Sequence, residues 1–94
     1  MTFQDFKNTL DQNQPPSDFS VFLKSLWYDG KSDWQTAHDL VDQLNGREAA
    51  WIHAYLHRVE GDNWNANYWY RNAGKQMPKV SLKEEWEILV KAFL

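Results

Sequence analysis

The chain contains no cysteine. Disulfides, thiolate metal sites and cysteine nucleophiles are therefore excluded together. It also lacks a basic excess: 10 Lys and Arg stand against 13 Asp and Glu, a formal net charge of -3. A nucleic-acid footprint calls for a basic face, so no nucleic-acid partner is expected. No apolar run approaches the ~20 residues that span a bilayer, and no membrane partner is expected. The opening MTFQDFKNTL has no basic segment leading into an apolar one, which points to a cytoplasmic protein rather than a secreted one. The zinc-protease pattern His-Glu-x-x-His is missing, because Ala54 follows His53. No Glu-x-x-His pair of the di-iron type occurs. No Gly-rich phosphate loop and no positioned nucleophile complete a catalytic set. The expectation is a protein that is not an enzyme and carries no cofactor or metal.

What the chain does have is helical spacing from end to end. Its 94 residues suit one domain over 1–94. Six tryptophans are many for this length, and each contributes a large buried area to a small core. Phe3, Phe6 and Leu10 share a helix face after Thr2 as N-cap. Pro15 and Pro16 interrupt it. Ser17 is placed to cap a second helix carrying Phe19, Phe22, Leu23 and Leu26, ended by Gly30. Ser32 and Gln35 have capping-box spacing for a third helix with Trp34, Ala37, Leu40, Val41 and Leu44, stopped at Asn45-Gly46. Arg47 to Glu60 is apolar around most of its circumference, the mark of a central helix. Gly61 ends that helix, and Asp62 caps a fifth running to about Lys75. Ser81 and Glu84 open a last helix with the stripe Leu82, Trp86, Leu89, Val90 and Phe93. The expected fold is all-α, with about six helices and short connections.

Gly61, Asp62, Ala66, Tyr70, Ala73 and Pro78 resemble the second half of a tetratricopeptide repeat. In that pattern small residues let two helices approach closely and an aromatic fills the space between them. Asp33, Ala37, Val41 and Leu44 follow the same steps upstream. Residues 18–45 and 47–80 thus look like two degenerate helix–turn–helix units, with an N-terminal helix before them and 81–94 as a capping helix. Ala37 and Ala66 are 29 positions apart, against about 34 in the usual repeat. A second resemblance covers about 34–78. AAWIHAYLHRVEGDNWNANYWYRNAG, preceded by WQTAHDLVDQL, is similar to a family of small uncharacterised bacterial proteins. That family shows a His-x-x-x-His-Arg helix, a turn, then Asn-Ala-x-Tyr-Trp-Tyr-Arg. The matching residues include His38, His53, His57, Arg58, Glu60, Asp62, Asn65, Ala66, Tyr68, Trp69, Tyr70, Arg71 and Gly74. This resemblance implies a fold and assigns no activity.

Two sets of candidate residues follow. In the repeat register, Phe19, Phe22, Leu26 and Asp29, with Trp51, Tyr55 and Arg58, line the inner surface. The tetratricopeptide resemblance implies a protein or peptide bound there. Function then rests on fold analogy. The amphipathic last helix suggests self-association if the inner surface is not covered within the chain. The alternative is a small-molecule or catalytic pocket around His53, His57, Arg58, Tyr68 and Arg71, with His38 nearby. His53, His57 and Glu60 lie on one helix face at spacings that suit a zinc ion, but a hydrogen-bonded polar seam against a neighbouring helix is the expected role. Arg58 and Arg71 are expected to pin the turn through Glu60 and Asp62. Glu84, Glu85 and Glu87 are expected to be solvated.

Overall fold

A computed structural model describes residues 1–94. It contains six helices and no strand: α1 Phe3–Thr9, α2 Val21–Gly30, α3 Trp34–Asp42, α4 Arg47–Val59, α5 Asn63–Asn72 and α6 Leu82–Phe93. The all-α expectation holds. No helix is long and apolar enough to cross a membrane.

Side-chain caps set most of the helix starts. Thr2 and Asp5 cap α1 reciprocally, each side chain bonded to the other's backbone N–H. Asp62 caps α5 by accepting from Asn65 N, and Ser81 caps α6 by accepting from Glu84 N. Two starts and two stops differ from the sequence reading. The cap of α2 is Ser20 rather than Ser17, so Phe19 precedes the helix yet remains buried against Phe6. The cap of α3 is Asp33, which accepts from Thr36 N, so Ser32 and Gln35 form no capping box. Gln35 instead donates to Asp39 one turn along. Finally, α3 ends at Asp42 and α5 at Asn72, both short of the expected ends, and Leu44 is exposed.

The α2–α3 and α4–α5 turns share one geometry. After α4, Gly61 takes φ 84°, and Gly61 N donates to Arg58 O while Asp62 N donates to His57 O. After α2, Ser32 takes φ 63°, and Ser32 N donates to Asp29 O while Asp33 N donates to Tyr28 O. Both are Schellman ends with the left-handed residue at the same place. Ser32 therefore does what Gly61 does, at a cost of roughly 1–2 kcal/mol for carrying a Cβ there. Gly30, expected to stop α2, is its last residue with no left-handed φ. Its missing Cβ serves packing instead, since a Cβ there would sit 3.0 Å from Trp86 and 3.1 Å from Leu10.

Helix α4 is central, as its apolar circumference requires. It packs on α2, α3, α5 and α6. Ala54 of α4 meets Ala66 and Tyr70 of α5 in a small cluster of its own, while Leu26, Trp27, Ala37, Ile52, Leu56 and Leu89 belong to the main core. The last helix does more than cap. It lies across α2 and α4: Phe93 packs on Phe22 and Trp51, and Trp86 Nε1 donates to Leu26 O at 3.0 Å.

Glu85 anchors that placement and corrects the expectation of a solvated carboxylate, being only 2% exposed. Its Oε1 accepts from Arg58 Nη1 at 2.9 Å. The Tyr70 hydroxyl lies 2.7 and 2.6 Å from its two oxygens and donates its one proton between them. Arg58 also donates to Val80 O. Arg58 thus ties α4 to α6, which corrects the expectation that it pairs with Glu60 or Asp62 at the turn. Removing one member of a buried pair strands the other charge, which costs on the order of 3–5 kcal/mol. Arg58→Ala is therefore expected to lose on the order of 3–5 kcal/mol in urea unfolding, with Arg71→Ala, an exposed control, close to wild type.

Candidate functional site

Two regions concentrate chemistry, on opposite sides of α4. The first is a histidine cluster where α3, α4 and α5 meet. Spacing of one turn puts His53 and His57 on the same face of α4, their rings stacked with centroids 4.7 Å apart. His38 comes from α3, and its Nε2 lies 3.0 Å from His53 Nε2. One donor atom from each of the three histidines can be chosen so that all lie within 4.8 Å of one another. Two tryptophans clamp the group. Trp34 stacks on His38 at 4.7 Å and is itself fixed by Nε1 donating to Leu56 O at 2.7 Å. Trp69 stacks on His53 at 4.1 Å.

Carboxylates surround the cluster. Glu60 Oε1 lies 2.6 Å from His57 Nδ1. A carboxylate can only accept there, so Nδ1 of His57 carries a proton, which leaves Nε2 as the lone-pair nitrogen of the neutral ring. Asp42 Oδ1 stands 3.9 Å from His38 Nε2 and 4.0 Å from His53 Nε2. Asp39 Oδ1 stands 3.9 Å from His38 Nδ1, an atom that is buried with no hydrogen-bond partner. Burial lowers the His53 pKa from 6.5 to about 4, with the neighbouring His38 and His57 adding to the effect and Asp42 opposing it. His53 is therefore neutral at pH 7.

The second region is an open cleft of about 470 Å³ between the C-terminal end of α2, α4 and the start of α6. Trp34, Tyr55, Val59, Leu82 and Trp86 supply apolar walls, with Asp29 and Lys83 at its edge. Asp29 Oδ2 accepts from the Tyr55 hydroxyl at 2.7 Å. Desolvation raises the Asp29 carboxyl above its ordinary value, against the lowering effect of that hydrogen bond. Tyr55 is pushed up as well, by burial first and then by the charge of Asp29.

The structure separates the residues that the sequence reading grouped. His53 and His57 stand together, joined by His38, while Arg58 points to Glu85 on α6. Tyr68 is exposed with its ring edge-on to Trp69, and Arg71 is exposed in the last turn of α5. Of the aromatics crowded into Trp64–Tyr70, Tyr70 is core, Trp69 supports His53, Tyr68 is exposed and Trp64 is 76% exposed. Trp51 packs under the Lys75 ammonium, 4.2 Å from the ring centroid, and Tyr55 is buried beside the cleft. Trp34, Asp42, Trp69 and Glu85 were missed as site residues. Trp34 stands four positions from His38, which marks a helix face but not its contents, while Trp69 has no histidine within a turn of it in the sequence. Comparison with protein-family models, curated proteins and solved structures finds no match.

The neutral His53 gives a pH dependence with a definite sign. Its folded pKa lies below the unfolded one, so the unfolded chain takes up the proton first as pH falls. The stability contributed by neutral His53 is complete above about 6.5 and drains away down to about 4, at no more than roughly 1.4 kcal/mol per pH unit. Melting temperatures should therefore fall from pH 7 to pH 4.5 more steeply in the wild type than in His53→Gln. Parallel curves for the two would show that His53 is protonated as readily in the fold as outside it.

Proposed function

We propose that this protein is a non-enzymatic, tetratricopeptide-like helical module that binds a protein or peptide partner, holding a cationic side chain of that partner in the Asp29–Tyr55 cleft. The observation that carries this reading is Asp29. Its carboxylate is desolvated beside an aromatic-walled opening and accepts from Tyr55, yet it makes no ion pair. Lys83 lines the same cleft without coming within ion-pair distance of it. A cation entering there would meet a carboxylate short of counter-charge and the indole side chains of Trp34 and Trp86, both favourable to it. The volume lies within the range usual for ligand sites.

The inner surface expected from the repeat register supports only part of that reading. Phe22, Leu26, Trp51 and Arg58 are engaged by α6, and Phe19 by α1. Asp29 and Tyr55 are the members of that surface that line the cleft, while Trp51 borders two smaller openings beside Lys75. The partner therefore docks at the end of the groove rather than along it. The resemblance to a bacterial family and the cysteine-free composition make the bacterial cytoplasm the proposed setting.

Titration of tryptophan fluorescence with short basic and acidic peptides tests the proposal. Lysine- or arginine-bearing peptides should bind in preference to acidic ones. Asp29→Asn should weaken that binding about 10–100-fold, the worth of a charge-assisted hydrogen bond. It should do so without lowering the melting temperature at pH 7, since it removes a desolvated charge. Equal binding by Asp29→Asn, or no preference for basic peptides, would refute the reading.

A further inference from the structure

We propose that His38, His53 and His57, with Asp42 as fourth donor, form a binding site for a divalent transition-metal ion of the zinc type. None of its four donors lines the cleft, and Trp34 is the side chain that touches both regions.

The first support is donor geometry. Zinc–nitrogen bonds are about 2.0–2.1 Å, so two tetrahedral imidazole donors stand about 3.3–3.4 Å apart. The His38 and His53 Nε2 atoms face each other at 3.0 Å, and a third histidine donor lies within 4.8 Å. Small rotations of the imidazole rings bring it to bonding distance. Asp42 Oδ1, 3.9 and 4.0 Å from the paired Nε2 atoms, approaches from the solvent side. Imidazole and carboxylate together suit zinc and its neighbours rather than magnesium or calcium.

The second support is the distribution of protons. In the metal-free chain one of the two facing Nε2 atoms must carry a hydrogen to bond the other. Whichever does, His38 Nδ1 stays buried without a partner, and an unsatisfied buried polar atom is destabilising. A bound metal reverses this. It requires lone pairs on both Nε2 atoms, which puts a proton on His38 Nδ1 and turns that atom toward Asp39 Oδ1 at 3.9 Å. His57 already has the required arrangement, its Nδ1 proton held by Glu60 at 2.6 Å. A carboxylate behind the far nitrogen is the usual support of a metal-bound histidine, fixing its tautomer and raising its basicity. The stacked Trp34 and Trp69 hold His38 and His53 in the orientation that the ion needs. A surface cavity of about 430 Å³ is bordered by Asp42, the fourth donor, and by Trp69, which stacks on His53. The metal would join α3 of the first helix pair to α4 of the second.

Titration of the full chain at pH 7.5 and micromolar concentration with Zn²⁺, read by a competing chromophoric chelator, tests the site. Co²⁺ in its place reports the geometry through its visible absorption. One ion per chain and the intense bands of four-coordinate Co²⁺ are expected. His38→Gln should abolish saturable binding, and Glu60→Gln should weaken it about 10–100-fold, the usual effect of losing a supporting carboxylate. Should His38→Gln fail to fold, Asp42→Asn and Glu60→Gln decide alone, since neither carboxylate belongs to the core. Absence of 1:1 binding, or binding that persists unchanged in both carboxylate variants, would overturn the proposal.

Discussion

The position of α6 depends on a single buried contact, the Glu85 carboxylate held by Arg58 and Tyr70. Such a group is tolerated in an interior only when its charge is matched and its lone pairs are used. Three helices must therefore converge for Glu85 to be there at all: α4 supplies the guanidinium, α5 the phenol and α6 the carboxylate. Once α6 is fixed, Phe93 covers Phe22 and Trp51, and Trp86 reaches Leu26. The groove that two helix pairs would otherwise leave open is filled from within. What remains accessible is the cleft where α6 begins, beside Asp29 and Tyr55.

Both candidate sites take their arrangement from α4. A helix packed on four others has little solvent-facing surface for polar groups, so each one on it must find a partner on a particular neighbour. Tyr55 finds Asp29 on α2, Arg58 finds Glu85 on α6, and His53 finds His38 on α3. The steps of two and three residues from His53 to Tyr55 to Arg58, at about 100° per residue, aim them at different neighbours. The cleft and the histidine cluster thus face different neighbours, and Trp34, which lines the first and stacks on His38 in the second, is the side chain they share.

Much of this was legible in the sequence. Apolar spacing and stop residues gave the six helices, and the all-round apolar character of 47–60 marked the central one. The steps Gly61, Ala66, Tyr70 identified the α4–α5 approach, where Ala66 meets Ala54. The failures have specific causes. Ser32 hid the first turn, because a serine rarely takes the left-handed conformation that Gly61 advertises in the second. The partner of Arg58 lay 27 positions away, beyond the reach of any local pairing rule, so nearby Glu60 and Asp62 were favoured. Glu85 sits between exposed Glu84 and half-buried Glu87, and composition alone makes all three look solvated. His38 was named as a neighbour of the pair, but a contact across 15 positions depends on how α3 packs against α4, which periodicity does not encode.

The claim that α6 closes the inner surface as part of the cooperative core is open to native-state hydrogen exchange. If the Arg58–Glu85–Tyr70 contact holds it, the amides of Leu89 and Val90 open only with the whole molecule, and their protection equals that of Ile52 and Leu56 in α4. Exchange in α6 faster by orders of magnitude, with α4 still protected, would contradict the account: the helix would be a detachable strap, and the groove beneath it the free surface.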